Sequence, residues 1–135
     1  GTSMPDKISH FELPAKDVNN SKKFYSKVFG WKFTKAPMPG VEYWLIDTGS
    51  KEVGGGLYKK VSSMPNIGPV NYASVKYLDA SVKKFTNAGG KILVPKQEIP
   101  NVGWVAIGAD PEGNAIGFWQ DKPKQNPRKR KTSRR

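Results

Sequence analysis

The chain has 135 residues, enough for one domain with its own core, and its 36% hydrophobic and 11% aromatic content suits a soluble globular protein. It has no cysteine and a single histidine, which excludes disulfides, thiol nucleophiles and cysteine metal sites and disfavours a zinc site. Its net charge of +12 is concentrated at one end, because residues 122–135 hold eight Lys or Arg and no acid.

The first three residues, Gly-Thr-Ser, read as a cloning remnant before Met4. No run approaches the length of a membrane span, and no signal peptide is visible, so we expect a cytoplasmic protein without a membrane partner.

The first half of the chain predicts one strand, one helix and three further strands. The strand-like run "KISHFELP" precedes a segment, Asp17 to Gly30, with apolar residues at helical spacing. This segment opens with a capping Asp and ends in Gly, as helices commonly do. The next strands are predicted at 31–35, 42–47 and 53–59.

The second half repeats this order. The run "GPVNYASVK" precedes a helical segment from Tyr77 to Gly90, sixty residues after the first. Strands are predicted at 91–94, 103–108 and 114–120, and Pro95, Pro100 and Pro111 are expected between strands, where proline is tolerated. At an offset of 61, "PGVEYWLI" matches "PNVGWVAI" and Gly56 matches Gly117.

The repeat predicts an α+β fold with two βαβββ modules, residues 6–60 and 68–121, in one domain spanning residues 4–121. Each module is too small to bury its sheet face alone, so we expect the two to pair around a common core.

The C-terminal segment, "KPKQNPRKRKTSRR", has no apolar residue besides its two prolines. Since it cannot bury apolar surface, residues 122–135 are predicted to be a disordered basic tail. The tail is either a solubilising extension or a weak, nonspecific contact for nucleic acid or another polyanion.

Three segments together resemble a known family: "ISHFELPAKDVNNSKKFYSKVFGWKF", "NVGW" and "DPEGNAIGFWQ". They are similar to the glyoxalase, bleomycin resistance and extradiol dioxygenase (vicinal oxygen chelate) superfamily, and within it to a small glyoxalase-like subgroup. The resemblance implies two curled sheets paired as a half-barrel, a cavity between them, and frequent homodimers. In metalloenzymes of this family, the first and last strands of each module supply His, Gln or Glu ligands to a divalent ion.

Carried onto this chain, the four ligand positions are His10, Gly56, Val70 and Gly117. One imidazole is not a metal site, so we expect no native metal or other cofactor. An adventitious divalent ion at His10, with help from Glu12, remains open.

Residues two apart on a strand share a face, so the same counting predicts what lines the cavity. The candidate ligand-binding residues are His10, Glu12, Tyr58, Tyr72 and Trp119. They suit a flat, partly apolar organic ligand, although the three aromatic residues could equally be ordinary core residues. His10 and Glu12 are also candidate acid-base catalysts or, alternatively, a polar pair at a strand end.

The sequence therefore favours a metal-independent small-molecule-binding protein of the glyoxalase and bleomycin-resistance type. Two alternatives stay open. One is a glyoxalase-like lyase or isomerase, using either a metal or His10 and Glu12. The other is a polyanion-associated protein that acts through its basic tail.

Overall fold

Eight strands and two helices form in the order that the repeat predicts. The computed structural model describes residues 4–123. The elements are β1 (Ile8–Ala15), α1 (Val18–Phe29), β2 (Lys32–Lys35), β3 (Tyr43–Asp47), β4 (Gly54–Lys59), β5 (Val70–Ser74), α2 (Leu78–Asn87), β6 (Lys91–Ile99), β7 (Gly103–Ala109) and β8 (Ala115–Asp121).

The two helices begin by different means. Asp17 caps α1 with its side chain, which accepts a hydrogen bond from the backbone N–H of Asn20 at 3.0 Å. The equivalent position before α2 is Tyr77, which has no capping group. Gln120 on β8 supplies the missing acceptor, because its Oε1 lies 2.7 Å from the backbone N of Leu78.

All eight strands lie in one sheet with the order β2-β3-β4-β1-β5-β8-β7-β6. Each module contributes one half, and β1 and β5 pair antiparallel at the centre, with Phe11 opposite Asn71. These two residues are sixty apart, which is the offset of the repeat, so the junction between the modules is close to an internal twofold axis. The predicted α+β fold with paired βαβββ modules is confirmed.

Both helices pack on the same face of the sheet, each over its own module. Leu57, which is fully buried, centres the cluster under α1, and Leu78 and Phe118 belong to the cluster under α2. A third cluster, around Val70, Tyr72 and Ile107, occupies the opposite face. That face, called here the inner face, carries the side chains of His10 and Glu12 because strand residues alternate between faces.

The prediction that Pro95 lies between strands is wrong. Strand β6 continues through it to Ile99, and the pairing with β7 shifts register between Val94 and Gln97. An edge strand needs hydrogen bonds on one side only, so a proline at such an irregularity is accommodated.

Lys122, the first residue of the predicted tail, is attached to the sheet. Its backbone N donates to the carbonyl of Val102 at 3.0 Å, and its ammonium group pairs with Glu98. The rest of the prediction for the tail concerns residues 124–135, which lie outside the described part of the chain, as do residues 1–3.

Within residues 4–123, neither helix combines the length and apolar character that crossing a bilayer requires.

Candidate functional site

The candidate site lies on the inner face, at the junction of the two modules. Glu12 and Tyr72 are equivalent residues of the two halves, sixty apart, and they meet across the β1–β5 pair. The Tyr72 hydroxyl donates to Oε1 of Glu12 at 2.9 Å. This bond joins the modules through a part-buried, charge-assisted contact.

A second tyrosine approaches the same carboxylate from β3. The Tyr43 hydroxyl donates to Oε2 of Glu12 at 2.8 Å, so each carboxylate oxygen accepts one phenolic hydrogen bond. Nε2 of His10 lies 2.9 Å from the same Tyr43 oxygen. The four residues form a continuous chain, His10–Tyr43–Glu12–Tyr72, which we call the inner-face relay. His10 and Glu12, predicted as neighbours, are thus connected through Tyr43.

Burial shifts the acid-base properties of every member of the relay. It raises the pKa of Glu12, an effect that the hydrogen bonds from Tyr43 and Tyr72 partly oppose. Burial also lowers the pKa of His10 below 6.5, which favours the neutral imidazole. The pKa values of both tyrosines are raised, first by burial and then by the adjacent Glu12 charge, so their hydroxyls stay protonated and donate.

Two of the four ligand positions that the resemblance implies, Gly56 and Gly117, provide the space that the tyrosines of the relay occupy. A Cβ atom on Gly56 would lie 1.8 Å from Oη of Tyr43, and one on Gly117 would lie 2.2 Å from the ring of Tyr72. Any side chain at either position would collide with a tyrosine. The space that a glycine vacates at each position is therefore filled by a tyrosine ring and does not form an open cavity.

The donor set on the inner face is poor for a divalent ion. Within residues 4–123, no three His, Cys, Asp or Glu side chains come together in a way that could hold a metal. Of the four ligand positions that the resemblance implies, His10 alone carries a metal-binding side chain, and both carboxylate oxygens of Glu12 beside it already accept hydrogen bonds. Tight transition-metal sites need more ligands than this arrangement offers.

The five predicted site residues come together, but they are not equally accessible. Tyr72 and Tyr58 are only 4% and 9% exposed, which fits the core interpretation of these two residues. Trp119 is half-buried, and its ring centroid lies 6.4 Å from that of His10. His10, Glu12 and Trp119 therefore keep partial solvent exposure, whereas the two tyrosines do not.

Tyr43 was not predicted, although it is central to the relay. It lies on β3, where Leu45 is paired with Gly56, and its ring reaches diagonally across to cover that glycine. The signal that could have found it is a large residue diagonal to a glycine in the adjacent strand of a hairpin. Using that signal requires the register, which the sequence does not reveal by itself.

A separate groove of about 280 Å³ lies on the other side of the sheet, between α2 and the strands β5 and β8. Phe85 and Phe118 contribute to its wall, and Asp6 and Lys84 supply its charged groups. It contains neither His10 nor Glu12 and none of the groups whose pKa burial shifts. The groups with shifted acid-base properties therefore lie on the inner face and not in this groove.

Comparison with known proteins agrees with this architecture. The sequence model of the Glyoxalase/Bleomycin resistance protein/Dioxygenase superfamily matches residues 7–118. A glyoxylase-like domain-containing protein of Didymella fabae is 35% identical over 113 residues, which cover 79% of this chain and 88% of that protein. The anthracycline biosynthesis protein DauV of Streptomyces sp. strain C5 is 28% identical over 131 residues, which cover 86% of this chain.

The chain spans about half the length of its bacterial relatives: 47% of DauV and 43% of two mycobacterial proteins. Among solved structures, methylmalonyl-CoA epimerase from Mycobacterium tuberculosis superposes with a TM-score of 0.67. It is 15% identical, and the match covers 86% of this chain and 88% of the epimerase. At that identity, the likeness concerns the fold alone.

Proposed function

The chain belongs to the Glyoxalase/Bleomycin resistance protein/Dioxygenase superfamily, and we propose that it binds a planar aromatic small molecule at the inner face without the help of a metal ion. The observation that carries this proposal is the filling of the Gly56 and Gly117 positions by tyrosine rings. The strands that carry metal ligands in metalloenzymes of this family are present, but here the hydrogen bonds of Tyr43 and Tyr72 to Glu12 lie between them.

The chemistry of the accessible groups supports a ligand with a flat apolar face. Trp119 offers an aromatic surface beside the imidazole of His10, and the buried walls around Val70 and Ile107 are apolar. Aromatic walls with a few fixed polar groups are typical of small-molecule sites. The name of the Streptomyces relative points to polycyclic aromatic chemistry for that protein, and we extend this class of compound to the present chain as part of the proposal.

The experiment is an NMR titration of the full chain with a panel of planar aromatics, from one to four fused rings, both neutral and cationic. We expect saturable shifts at His10 and at the Trp119 indole. Trp119→Leu should weaken binding at least tenfold. Trp44→Leu is the matched control, because Trp44 is a half-buried sheet tryptophan on the helix side, where Lys22 covers its ring. Equal binding by both variants, or no saturable shift with any compound, would refute the proposal.

The enzymatic alternative is a lyase or isomerase that uses His10 and Glu12 or a bound metal. Among residues 4–123, no group of three metal-binding side chains supports the metal-dependent version. The homodimer, and the contact of residues 122–135 with a polyanion, stay predictions.

A further inference from the structure

One ring nitrogen of His10, Nδ1, takes no part in the hydrogen bonds of the relay. Nε2 of His10 is engaged with Tyr43, whereas Nδ1 makes no hydrogen bond to any of the described residues. Within residues 4–123, every fully buried side-chain N or O atom has a partner. Nδ1 is therefore not fully buried and keeps contact with solvent.

The relay determines the protonation of that nitrogen. Tyr43 has one hydroxyl proton, and it is directed to Glu12 at 2.8 Å. The Tyr43 oxygen must then accept from His10, so the imidazole proton lies on Nε2 and Nδ1 carries a lone pair. The arrangement suits an ionised Glu12, which only accepts and which receives two O–H donors.

The approach to Nδ1 is kept open by an exposed glycine. Gly54, the first residue of β4, is paired with His10, and a Cβ atom at Gly54 would lie 3.5 Å from Nδ1. Because glycine lacks this Cβ, there is space for one heavy atom of another molecule beside the Nδ1 lone pair. Gly54 differs from Gly56 in this respect, because no tyrosine covers it.

We propose that Nδ1 of His10, entered over Gly54, is the hydrogen-bond acceptor of the site, and that it selects aromatic ligands that carry an O–H or N–H donor. The inference rests on the proposed function and deepens it by naming the ligand's polar group. Tyr43 and Glu12 are positioning residues, since they fix the tautomer of His10 without touching the ligand.

The tautomer is tested first, without any ligand. His10 is the single histidine of the chain, so protein labelled with ¹⁵N-histidine gives one unambiguous pair of ring nitrogens. At pH 7.5 we expect a proton on Nε2 and none detectable on Nδ1. Tyr43→Phe removes the acceptor of the Nε2 proton. Glu12→Gln replaces one of the two carboxylate oxygens with an N–H donor, which turns the Tyr43 proton toward His10 when the amide nitrogen faces Tyr43. Both should raise the Nδ1–H form, and a tautomer unchanged in both variants would overturn the proposal.

The acceptor role of Nδ1 toward a ligand is tested with a matched pair of probes. 2-Naphthol has an O–H donor, and 2-methoxynaphthalene has none. We expect 2-naphthol to bind about three- to tenfold more tightly, as one net hydrogen bond allows, and to shift the Nδ1 resonance. Gly54→Ala should remove this advantage while leaving the Nε2–H tautomer in place. The folded state accommodates the alanine, because its Cβ would make an ordinary contact and the glycine has no positive φ.

The outcomes separate the two proposals. Equal binding of both probes without an Nδ1 shift would overturn the acceptor role and leave the proposed function standing. Failure of both probes to bind would count against the proposed function and against the ligand role of Nδ1 together, whatever the tautomer.

Discussion

Adding one methyl group at Gly56 should disrupt the inner-face relay, whereas the same methyl two residues earlier should not. The Cβ of Gly56→Ala would lie 1.8 Å from Oη and 2.3 Å from Cζ of Tyr43, distances that no contact between folded side chains tolerates. The Tyr43 ring, which is 8% exposed, must move and release both Glu12 and His10. Gly54→Ala keeps 3.5 Å from its neighbour and is the matched control.

The expected change in the free energy of unfolding combines two destabilising terms and one stabilising term. Overpacking in a well-packed region costs about 1 to 3 kcal/mol. Loss of a hydrogen bond to a charged acceptor adds about 1.5 to 3 kcal/mol. Replacing glycine by alanine restricts the unfolded chain and returns about 0.4 to 1 kcal/mol. We therefore expect Gly56→Ala to lower the free energy of unfolding by about 1.5 to 5.6 kcal/mol, a large share of the roughly 5 to 15 kcal/mol of a typical domain.

Urea unfolding followed by circular dichroism measures both variants, and a double-mutant cycle assigns the cause. In a Tyr43→Leu background the colliding ring is gone, so Gly56→Ala should become nearly neutral. Additive effects of the two substitutions would refute the steric argument. So would a Gly54→Ala variant that is destabilised as strongly as Gly56→Ala.

Three further predictions concern the same residues. Because burial lowers the pKa of His10, the unfolded chain binds a proton below pH 6.5 that the folded protein does not. As the pH falls, the free energy of unfolding of the unmutated protein should therefore decrease, relative to that of His10→Gln, by up to about 1.4 kcal/mol per pH unit. A difference between the two proteins that is constant from pH 7.5 to 5 would contradict this. Tyr43→Phe deletes the hydroxyl that hydrogen-bonds to both His10 and Glu12, and urea unfolding should show a loss of about 2 to 4 kcal/mol. The hydroxyl of Tyr58 makes no hydrogen bond within the described residues, so the control Tyr58→Phe should lose less than about 1 kcal/mol. Equal losses in the two variants would argue against the relay. Elemental analysis of protein purified without chelator should find zinc, nickel and iron well below one ion per chain, whereas a stoichiometric metal that His10→Gln removes would overturn the metal-independent proposal.

The fold could be predicted because its signal is local and occurs twice. The helical spacing of Asp17–Gly30 recurs sixty residues later, and the strand pattern around Gly56 recurs around Gly117. Each copy supports the other, so the order of elements follows without any knowledge of long-range pairing. The match to the family from residue 7 to 118 agrees with that order.

The site could be predicted only in part, because its contacts depend on register across strands. Alternation along β1 correctly places His10 and Glu12 on one face, but the residue that connects them, Tyr43, comes from a strand two positions away in the sheet. A glycine in a sequence indicates a missing side chain and leaves open whether the vacated volume is empty or filled by a neighbour. At Gly56 and Gly117 it is filled, which only the paired strands reveal.

The contact between Glu12 and Tyr72 has a consequence for how the two halves recognise each other. These residues occupy equivalent places, yet one is an acceptor and the other a donor. Two copies of the first half, joined in the same register, would place Glu12 where Tyr72 donates in this chain, so the carboxylate would lose that hydrogen bond. Two copies of the second half would leave Tyr72 without its carboxylate acceptor. This hydrogen bond therefore exists in the unlike pair alone, and the divergence of one position after duplication favours pairing between unlike halves.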